Sequence, residues 1–275
     1  MDEARRRYLR QQIELGGAEV VLGEAAGAEA VADPPPGGPR SAPAPDDGAA
    51  MGTKGRDARP GAGKWRVGAP PIPGPGLAVR SPAPAPGKDP LAGLETLERL
   101  AKRITSTYCC GLCPARTNAV PGEGSPKADL VLVGEGPGAT EDETGRPFVG
   151  AAGRLLDEIL GAVGLAREAV FICNVVKCRP PQNRKPLPDE IAACIPYLHR
   201  QLAIIRPKVI MTLGGTAAEA LLGTKQSLGK LRGLVHTYDD IPLVATYHPA
   251  ALLRNPNWKK PTWDDVRIAR QLLDR

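Results

Sequence analysis

The sequence has few aromatic side chains and no long apolar run. Phe, Trp and Tyr together make up 4% of its 275 residues. No apolar stretch reaches the roughly 20 residues that a membrane-spanning helix needs, which excludes an integral membrane protein of the helical type. The N-terminal segment MDEARRRYLRQQIELGG also lacks the apolar core of a secretory signal. We therefore expect a cytoplasmic protein that contacts no membrane.

Proline and glycine are abundant instead, and they are concentrated in the first third of the chain. Half of the 30 prolines precede Leu91, in runs such as PPPGGP and PPIPGPG, whereas only two aromatic residues do. Such sequence buries too little apolar surface to offset the entropy lost on folding. We predict that residues 1–90 form a disordered Pro/Ala/Gly-rich extension, which can serve as a tether or as an arm for an unidentified partner. Residues 91–275 are expected to form a monomeric folded domain.

The net charge is +6, and the excess of basic side chains lies in the predicted domain. Residues 1–89 carry a net charge of +1, and residues 90–275 carry +5. A basic surface suits a polyanionic partner such as DNA. A basic face that contacts only solvent would give the same count, so charge alone does not decide between the two.

Segments with strand and helix spacing alternate from Leu91 onward. The predicted strands are residues 129–134, 170–176, 208–214 and 243–248. The predicted helices are residues 91–107, 151–164, 188–205, 216–223 and 262–274. This alternation predicts a three-layer α/β/α domain with a four-stranded, mostly parallel central sheet. In such domains, ligands bind beyond the carboxyl ends of the strands.

Three of the predicted strands end in residues with chemical functions. The first ends in GEGPG (residues 134–138), whose glycines let the backbone approach a ligand closely. The second ends near Asn174, whose amide offers a donor and an acceptor, and the fourth ends at His248, which can stabilise negative charge. Each residue alone is consistent with a structural role, but their joint placement predicts one cleft. Phe148 is either a core residue or a platform that stacks on a base.

The glycine cluster also raises the alternative of a dinucleotide-cofactor site. Its spacing is G-x-G-x-G, its turn contains Pro137, and a long loop separates it from the next helix. The dinucleotide fingerprint has a different spacing and leads directly into a helix. The sequence therefore disfavours a nicotinamide or flavin enzyme.

Six cysteines in a reducing compartment indicate metal ligands or free thiols rather than disulfides. The candidate ligands are Cys110, Cys113, Cys178 and Cys194. The first two are separated by two residues, which is a usual chelate spacing for sulfur sites, and four thiolates can hold zinc or an iron–sulfur cluster. Cys173 lies inside a predicted strand and is interpreted as a core residue, whereas Cys109 competes with Cys110 as a ligand.

Three longer motifs, together with these cysteines, resemble the family 4 uracil-DNA glycosylases, the iron–sulfur type of bacteria and archaea. They are GEGPGATEDETGRPFVGAAGRLLDEIL (134–160), FICNVVKCRPPQNRKPLPDEI (171–191) and YHPAALLRNP (247–256). The resemblance covers residues 94–275 and leaves out residues 1–90. The chain departs from the family at Cys109, which is additional, and between Cys113 and Gly122, where it is shorter.

The resemblance implies an enzyme that flips uracil out of DNA, hydrolyses its N-glycosidic bond and leaves an abasic site, which starts base excision repair. It also implies that the four candidate cysteines hold a [4Fe–4S] cluster rather than zinc. Because no amine nucleophile is implied, the glycosylase is expected to be monofunctional and to leave the strand uncut. The alternative is a catalytically weak iron–sulfur DNA-binding module of the same fold. A variant that traps its product is disfavoured, because the loop KCRPPQNRKP lacks a basic-His insertion.

The resemblance implies roles for residues of the cleft as well. Glu135 orients water or stabilises the sugar cation, and His248 hydrogen-bonds uracil O2. Asn174 reads uracil O4 and N3–H, and Phe148 stacks on the base.

Six further residues are implied to contact the DNA or its flipped nucleotide. The substrate-binding ones are Gly136, Gly138 and Glu141, and the DNA-binding ones are Leu252, Leu253 and Arg254. The glycines shape a loop against the flipped nucleotide, and the glutamate crowds the C5 edge of uracil, which disfavours thymine. One of the two leucines fills the gap left by the flipped base, and the arginine lies near a phosphate.

Overall fold

The computed structural model describes residues 63–82, Asp89 and residues 91–275. All of them belong to one compact unit, Arg56–Arg275. No helix within these ranges combines the length and the hydropathy that a membrane crossing needs.

Seven strands form a single mixed sheet within the described ranges. In chain order they are β1 (Pro75–Val79), β2 (Glu123–Gly124), β3 (Leu130–Gly134), β4 (Phe171–Asn174), β5 (Val209–Leu213), β6 (Val235–Tyr238) and β7 (Ile241–Thr246). The sheet order is β1-β6-β7-β5-β3-β4-β2. The four strands β7, β5, β3 and β4 run parallel, whereas β6 and β2 run antiparallel to their neighbours β7 and β4.

In the described part of the chain, eight α-helices connect and cover these strands. They are α1 (Leu97–Ser106), α2 (Ala139–Thr144), α3 (Ala151–Ala162), α4 (Pro188–Ile205), α5 (Gly215–Leu222), α6 (Leu228–Leu231), α7 (Pro249–Arg254) and α8 (Lys259–Leu273). Local chemistry fixes several of their starts. The hydroxyl of Thr96 accepts a hydrogen bond from the Arg99 amide at the start of α1, and a proline occupies the first position of α4 and of α7.

The sheet divides the apolar core into two layers, which confirms the predicted three-layer α/β/α class. Side chains alternate along β3, so Val131 and Val133 face one core cluster and Leu130 and Leu132 face the other. Helices α4 and α5 cover the first face, and α3 and α8 cover the second. Parallel strands that are buried on both faces are typically apolar and β-branched, as β3 (LVLVG) and β5 (VIMTL) are.

The four predicted strands are the parallel centre of the sheet, but the predicted number of strands is wrong. Strands β1 and β2 lie at the two edges, and β6 joins β1 to the centre. β2 has only two residues, and β1 begins with a proline, which a sheet tolerates at an edge. Neither segment carries the apolar periodicity that predicts a strand.

Residues 63–82 pack on the domain, although the sequence places them in the disordered extension. Strand β1 pairs with β6, and Trp65 is buried in the core on the α3/α8 side. The β1 amide of Leu77 donates to Nδ1 of His236, a fully buried residue of β6. A Cβ on Gly76 would lie 2.4 Å from that ring, so the close approach of the edge strand requires glycine. The rest of the predicted extension lies outside the described residues.

The order of the central strands places a cleft at their carboxyl ends. Strand β3 lies between β4 and β5 in the sheet. The chain passes from β3 to β4 on one side of β3 and then returns to β5 on its other side. The connections therefore diverge between β3 and β5, and a crevice opens at such a switch point.

Candidate active site and cysteine cluster

A cavity of about 520 Å³ opens at this switch point. Its wall contains residues that follow the central strands, among them Glu135 after β3, Asn174 at the end of β4, Gly214 after β5 and His248 after β7. Eight residues predicted for the site line it, namely Glu135, Gly136, Gly138, Glu141, Phe148, Asn174, His248 and Arg254. The predicted Leu252 and Leu253 are not part of its wall.

Asn174 presents a buried oxygen without a protein partner in the described part of the chain. Its side chain is 1% exposed, and its Oδ1 accepts no hydrogen bond there. A buried acceptor of this kind is costly unless a ligand or water supplies a donor. A Cβ on Gly134 would lie 2.4 Å from this Oδ1, so the glycine makes room for the amide. Lys177 holds the Asn174 backbone through a 2.7 Å hydrogen bond from Nζ to the carbonyl.

Phe148 lies in a left-handed backbone conformation, which a bulky residue rarely adopts. Its φ is 50°, and the guanidinium of Arg167 binds its carbonyl at 3.1 Å. A Cβ on Gly153 would lie 1.9 Å from the same carbonyl, so helix α3 can approach only through a glycine. The strained turn places the Phe148 ring 5.3 Å from the His248 ring, at a 30° tilt.

Glu141 holds two loops of the cavity together. Its Oε1 accepts hydrogen bonds from the amides of Val149 and Gly150, each at 2.9 Å, and its Oε2 accepts one from Gly138 at 3.1 Å. The carboxylate thus connects the glycine-rich loop of residues 134–138, called the glycine loop below, with the turn that carries Phe148. This contact could not be predicted from the sequence, because only the folded loops show which amides lack a partner.

His248 caps helix α7 through its side chain. Its Nδ1 accepts a hydrogen bond from the Ala250 amide at 3.2 Å, so in the neutral ring the proton is on Nε2. Burial, together with the positive charge of Arg254, lowers the pKa of His248 to about 4. At neutral pH the ring is therefore an uncharged donor at the cavity wall.

The two leucines of helix α7 have opposite environments. Leu252 is 1% exposed and packs inside the domain, whereas Leu253 is 51% exposed. Arg254 is exposed at the end of the same helix and contributes to the cavity wall. Burial therefore separates two residues that the sequence could not distinguish.

Five cysteines from three segments come together beside the end of β4. The Sγ atom of Cys113 lies 3.9 Å from those of Cys109 and Cys110, and 3.7 Å from that of Cys178. Cys194 on α4 is 3.9 Å from Cys109. All four predicted ligands are in this group, and so is Cys109. Cys173 packs in the core on the α4/α5 side, as predicted.

The donors of this cysteine cluster fit a thiolate-bound metal. Burial raises the pKa of the Cys178 thiol to about 12, and a bound cation is what stabilises a thiolate in such surroundings. The guanidinium of Arg116 donates to Cys178 Sγ at 3.2 Å, and the Cys109 amide donates to Cys113 Sγ at 3.3 Å. Hydrogen bonds to sulfur are a usual feature of metal–thiolate sites. This geometry does not by itself choose a type of metal.

The three-layer fold with a cavity at its strand ends is the architecture of a broad class of α/β enzymes. The family model of the Uracil DNA glycosylase superfamily matches residues 121–269, and the chain belongs to this superfamily.

Within the superfamily, the chain belongs to the type-4 uracil-DNA glycosylases. It is 47% identical to that of Sulfurisphaera tokodaii over 188 residues, which are 65% of this chain and 86% of the relative. Identity to the type-4 enzyme of Thermotoga maritima is 49%, over 66% of this chain and 96% of the relative. Identity to that of Archaeoglobus fulgidus is 43%, again over 66% and 96%.

Proposed function

We propose that this protein is a monofunctional uracil-DNA glycosylase that flips uracil out of DNA, hydrolyses its N-glycosidic bond and starts base excision repair. The unpartnered Oδ1 of Asn174 carries the proposal. A buried acceptor beside an aromatic ring and a neutral imidazole N–H matches a pyrimidine that offers an N–H between two carbonyls. The family membership agrees with this chemistry.

Uracil recognition is assigned to Asn174 and Phe148. The amide oxygen of Asn174 accepts N3–H, and its amide nitrogen donates to O4. Cytosine presents the reverse pattern, an acceptor at N3 and a donor at N4, and leaves both groups of the amide unpaired. The Phe148 ring stacks on the base, and Glu141 fixes that ring by holding the amides of Val149 and Gly150.

His248 and Glu135 are assigned to the hydrolysis. When the bond between the deoxyribose C1′ and uracil N1 breaks, its electron pair moves into the uracil ring. The neutral His248 donates Nε2–H to O2 and stabilises this anion, a contribution worth roughly 3–4 kcal/mol for one well-placed donor. Glu135 orients the water that bonds to C1′ and takes up its proton. The products are an abasic site and the uracil anion, which takes up a proton from solvent to become free uracil, while Glu135 returns its proton to solvent.

Leu253 and Arg254 are assigned to the DNA duplex. Because Leu253 is the exposed leucine of α7, it is the one that can enter the base stack and fill the gap left by the flipped uracil. Arg254 binds a neighbouring phosphate. Gly136 and Gly138 let the glycine loop approach the flipped nucleotide.

The cysteine cluster is assigned to a [4Fe–4S] centre, with Cys110, Cys113, Cys178 and Cys194 as its ligands. When bound, the centre links the segments that bear these residues and so braces the structure next to β4. Cys109 competes with Cys110 for one position, since its Sγ contacts two of the other thiols. The monomeric state, and an unidentified partner of the extension predicted over residues 1–90, remain predictions.

Uracil release from an oligonucleotide with a single uracil tests the function. We expect His248→Ala and Asn174→Ala each to lower the single-turnover rate by about 100- to 1,000-fold. His199→Ala is the matched control, because His199 lies on α4 and not in the cavity wall. Wild-type rates in both cavity variants would refute the residue roles, and an inactive wild type would favour the DNA-binding module instead.

A further inference from the structure

The active-site cavity continues beyond the residues that are assigned to uracil. Its volume of about 520 Å³ lies within the ~300–1,000 Å³ range of sites that hold whole drug-sized ligands, so one pyrimidine ring leaves room. The remaining wall includes Leu228 of α6, Tyr247 after β7, Ala251 of α7 and Trp258. None of these four residues has a role in the hydrolysis described above.

Two aromatic rings stack at this end of the cavity. The rings of Tyr247 and Trp258 are 4.7 Å apart between centroids and are inclined by only 5°. Tyr247 directly precedes His248, and Trp258 ends the single turn Pro256–Trp258 that follows α7. Both rings are half-buried and belong to the cavity wall. The stack therefore lies next to the catalytic imidazole in the chain and is open to a ligand.

A buried ion pair anchors this stack to the domain. The guanidinium of Arg232 lies 4.4 Å from the Tyr247 ring centroid. Its Nε donates to Asp265 at 2.7 Å, and its Nη2 donates to the Pro261 carbonyl at 2.7 Å. Asp265 is 1% exposed and also accepts a 2.6 Å hydrogen bond from the Thr246 hydroxyl. The aromatic pair is thus held in place before any ligand binds, which lowers the entropy lost on binding.

We infer that Trp258, supported by Tyr247, forms a second subsite that stacks the nucleobase next to uracil in the same strand. The inference rests on the proposed function. Every base has a π face, so an aromatic platform accepts any neighbour without reading its sequence. Arg254 lies on the same wall and binds the phosphate that links the two nucleotides. The enzyme thereby holds a dinucleotide unit rather than an isolated base.

A double-mutant cycle between protein and DNA tests the subsite. The substrate is a single-stranded oligonucleotide with one uracil, in which the base on the 5′ or the 3′ side is removed in turn by an abasic analogue. We expect Trp258→Ala to raise KM about tenfold, as loss of one base–aromatic stack does, with kcat within twofold of wild type. Removal of one neighbouring base should raise KM of the wild type by a similar factor and leave that of Trp258→Ala unchanged.

Two further variants separate stacking from a structural role. Trp258→Phe keeps an aromatic face and should restore most of the lost affinity, and Trp263→Phe on α8 is a control away from the cavity. If Trp258→Ala does not fold, the double variant Trp65→Phe/Trp263→Phe leaves Trp258 as the only tryptophan. Its fluorescence should then be quenched by the intact oligonucleotide and not by the one that lacks the stacking neighbour.

The outcomes distinguish this inference from the proposed function. The subsite is overturned if the effects of Trp258→Ala and of each abasic neighbour on KM simply add. It is also overturned if the fluorescence of Trp258 is quenched equally with and without the neighbouring base. Either result leaves uracil release by the wild type unaffected. If the wild type releases no uracil, the proposed function fails first, and the fluorescence titration alone then decides whether the stack binds a base.

Discussion

The cavity at the strand ends and the cysteine cluster lie at the two ends of one short segment, residues 174–178, and are held together in different ways. In the cavity, the protein itself supplies the partners: Glu141 binds three loop amides, and His248 caps a helix. In the cluster, five thiols lie against one another. The cavity is therefore preorganised by the fold, whereas the stability of the cluster is expected to depend on the proposed metal.

The connecting segment shows how the two sites can affect each other. Lys177 is buried, and its Nζ donates to the Asn174 carbonyl and, at 2.6 Å, to Gln201 of α4. Cys178 follows directly in the chain and belongs to the cluster. Displacement of Cys178 would move Lys177 and then the strand end that carries Asn174. Damage to the cluster should consequently reach the cavity, whereas damage to the cavity wall should leave the cluster intact.

Cys178→Ser is the strongest test of this asymmetry. Loss of a metal ligand is among the changes that destabilise by about 3 kcal/mol or more, which corresponds to roughly 6–12 °C in Tm for a domain of this size. We expect the variant to lose absorbance near 400 nm, iron content and uracil release together. Cys173→Ala is the control, because Cys173 is buried in the core but is not a predicted ligand.

The same measurements decide between the two adjacent cysteines. Cys110→Ser should lose the iron absorbance, and Cys109→Ser should retain it, since the two-residue spacing to Cys113 favours Cys110. The opposite result would move the ligand role to Cys109. Full activity of Cys178→Ser without iron would break the proposed link between cluster and cavity.

The central strands could be predicted from the sequence, whereas an edge strand could not. The buried strands β3, β4 and β7 have apolar segments, so their ends, and with them Glu135, Asn174 and His248, could be placed at one edge of the sheet. The edge strand β1 could not be predicted, because a Pro/Gly-rich segment gains its order from tertiary contacts, among them its pairing with β6, its contact with His236 and the packing of Leu77 on the core.

Several details of the two sites depend on contacts between distant segments. The sequence predicted that four cysteines meet, but spacing does not reveal that Cys109 lies 3.9 Å from both Cys113 and Cys194. The sequence likewise does not reveal the hydrogen bonds from loop amides to Glu141, or that Leu252 is buried and Leu253 is exposed. These features follow from packing, which periodicity along the chain does not encode.

Leu253→Ala tests whether a change beside the cavity alters uracil release without affecting the cysteine cluster. The exposed leucine should fill the gap in the duplex, so we expect release from double-stranded DNA to fall about tenfold, in line with an unstacking cost of a few kcal/mol. Release from single-stranded DNA should stay within twofold, and Tm and iron absorbance should not change. Leu252→Ala is the matched control and should instead destabilise the fold by about 2–5 kcal/mol. Equal losses on both DNA forms would argue against a wedge.

The smallest expected effect is the response of the cavity to acid. Because burial lowers the pKa of His248 to about 4, the ring stays neutral where an ordinary histidine, with a pKa near 6.5, would be protonated. The single-turnover rate at pH 5.5 should therefore remain within about twofold of its value at pH 7. A tenfold loss at pH 5.5, with the iron absorbance retained, would show that His248 titrates like an exposed histidine.

The same pKa makes folding stability depend on pH. Between pH 6.5 and about 4 the unfolded chain binds a proton at His248 that the folded chain does not, so this contribution to stability is lost as the pH falls through that window. His248→Asn should lose less stability than the wild type between pH 6.5 and 5, measured by denaturant unfolding. If the free energy of unfolding falls equally in the wild type and in His248→Asn, the buried ring of His248 accepts a proton as readily as it does in the unfolded chain. The cavity is then less preorganised than its hydrogen bonds indicate.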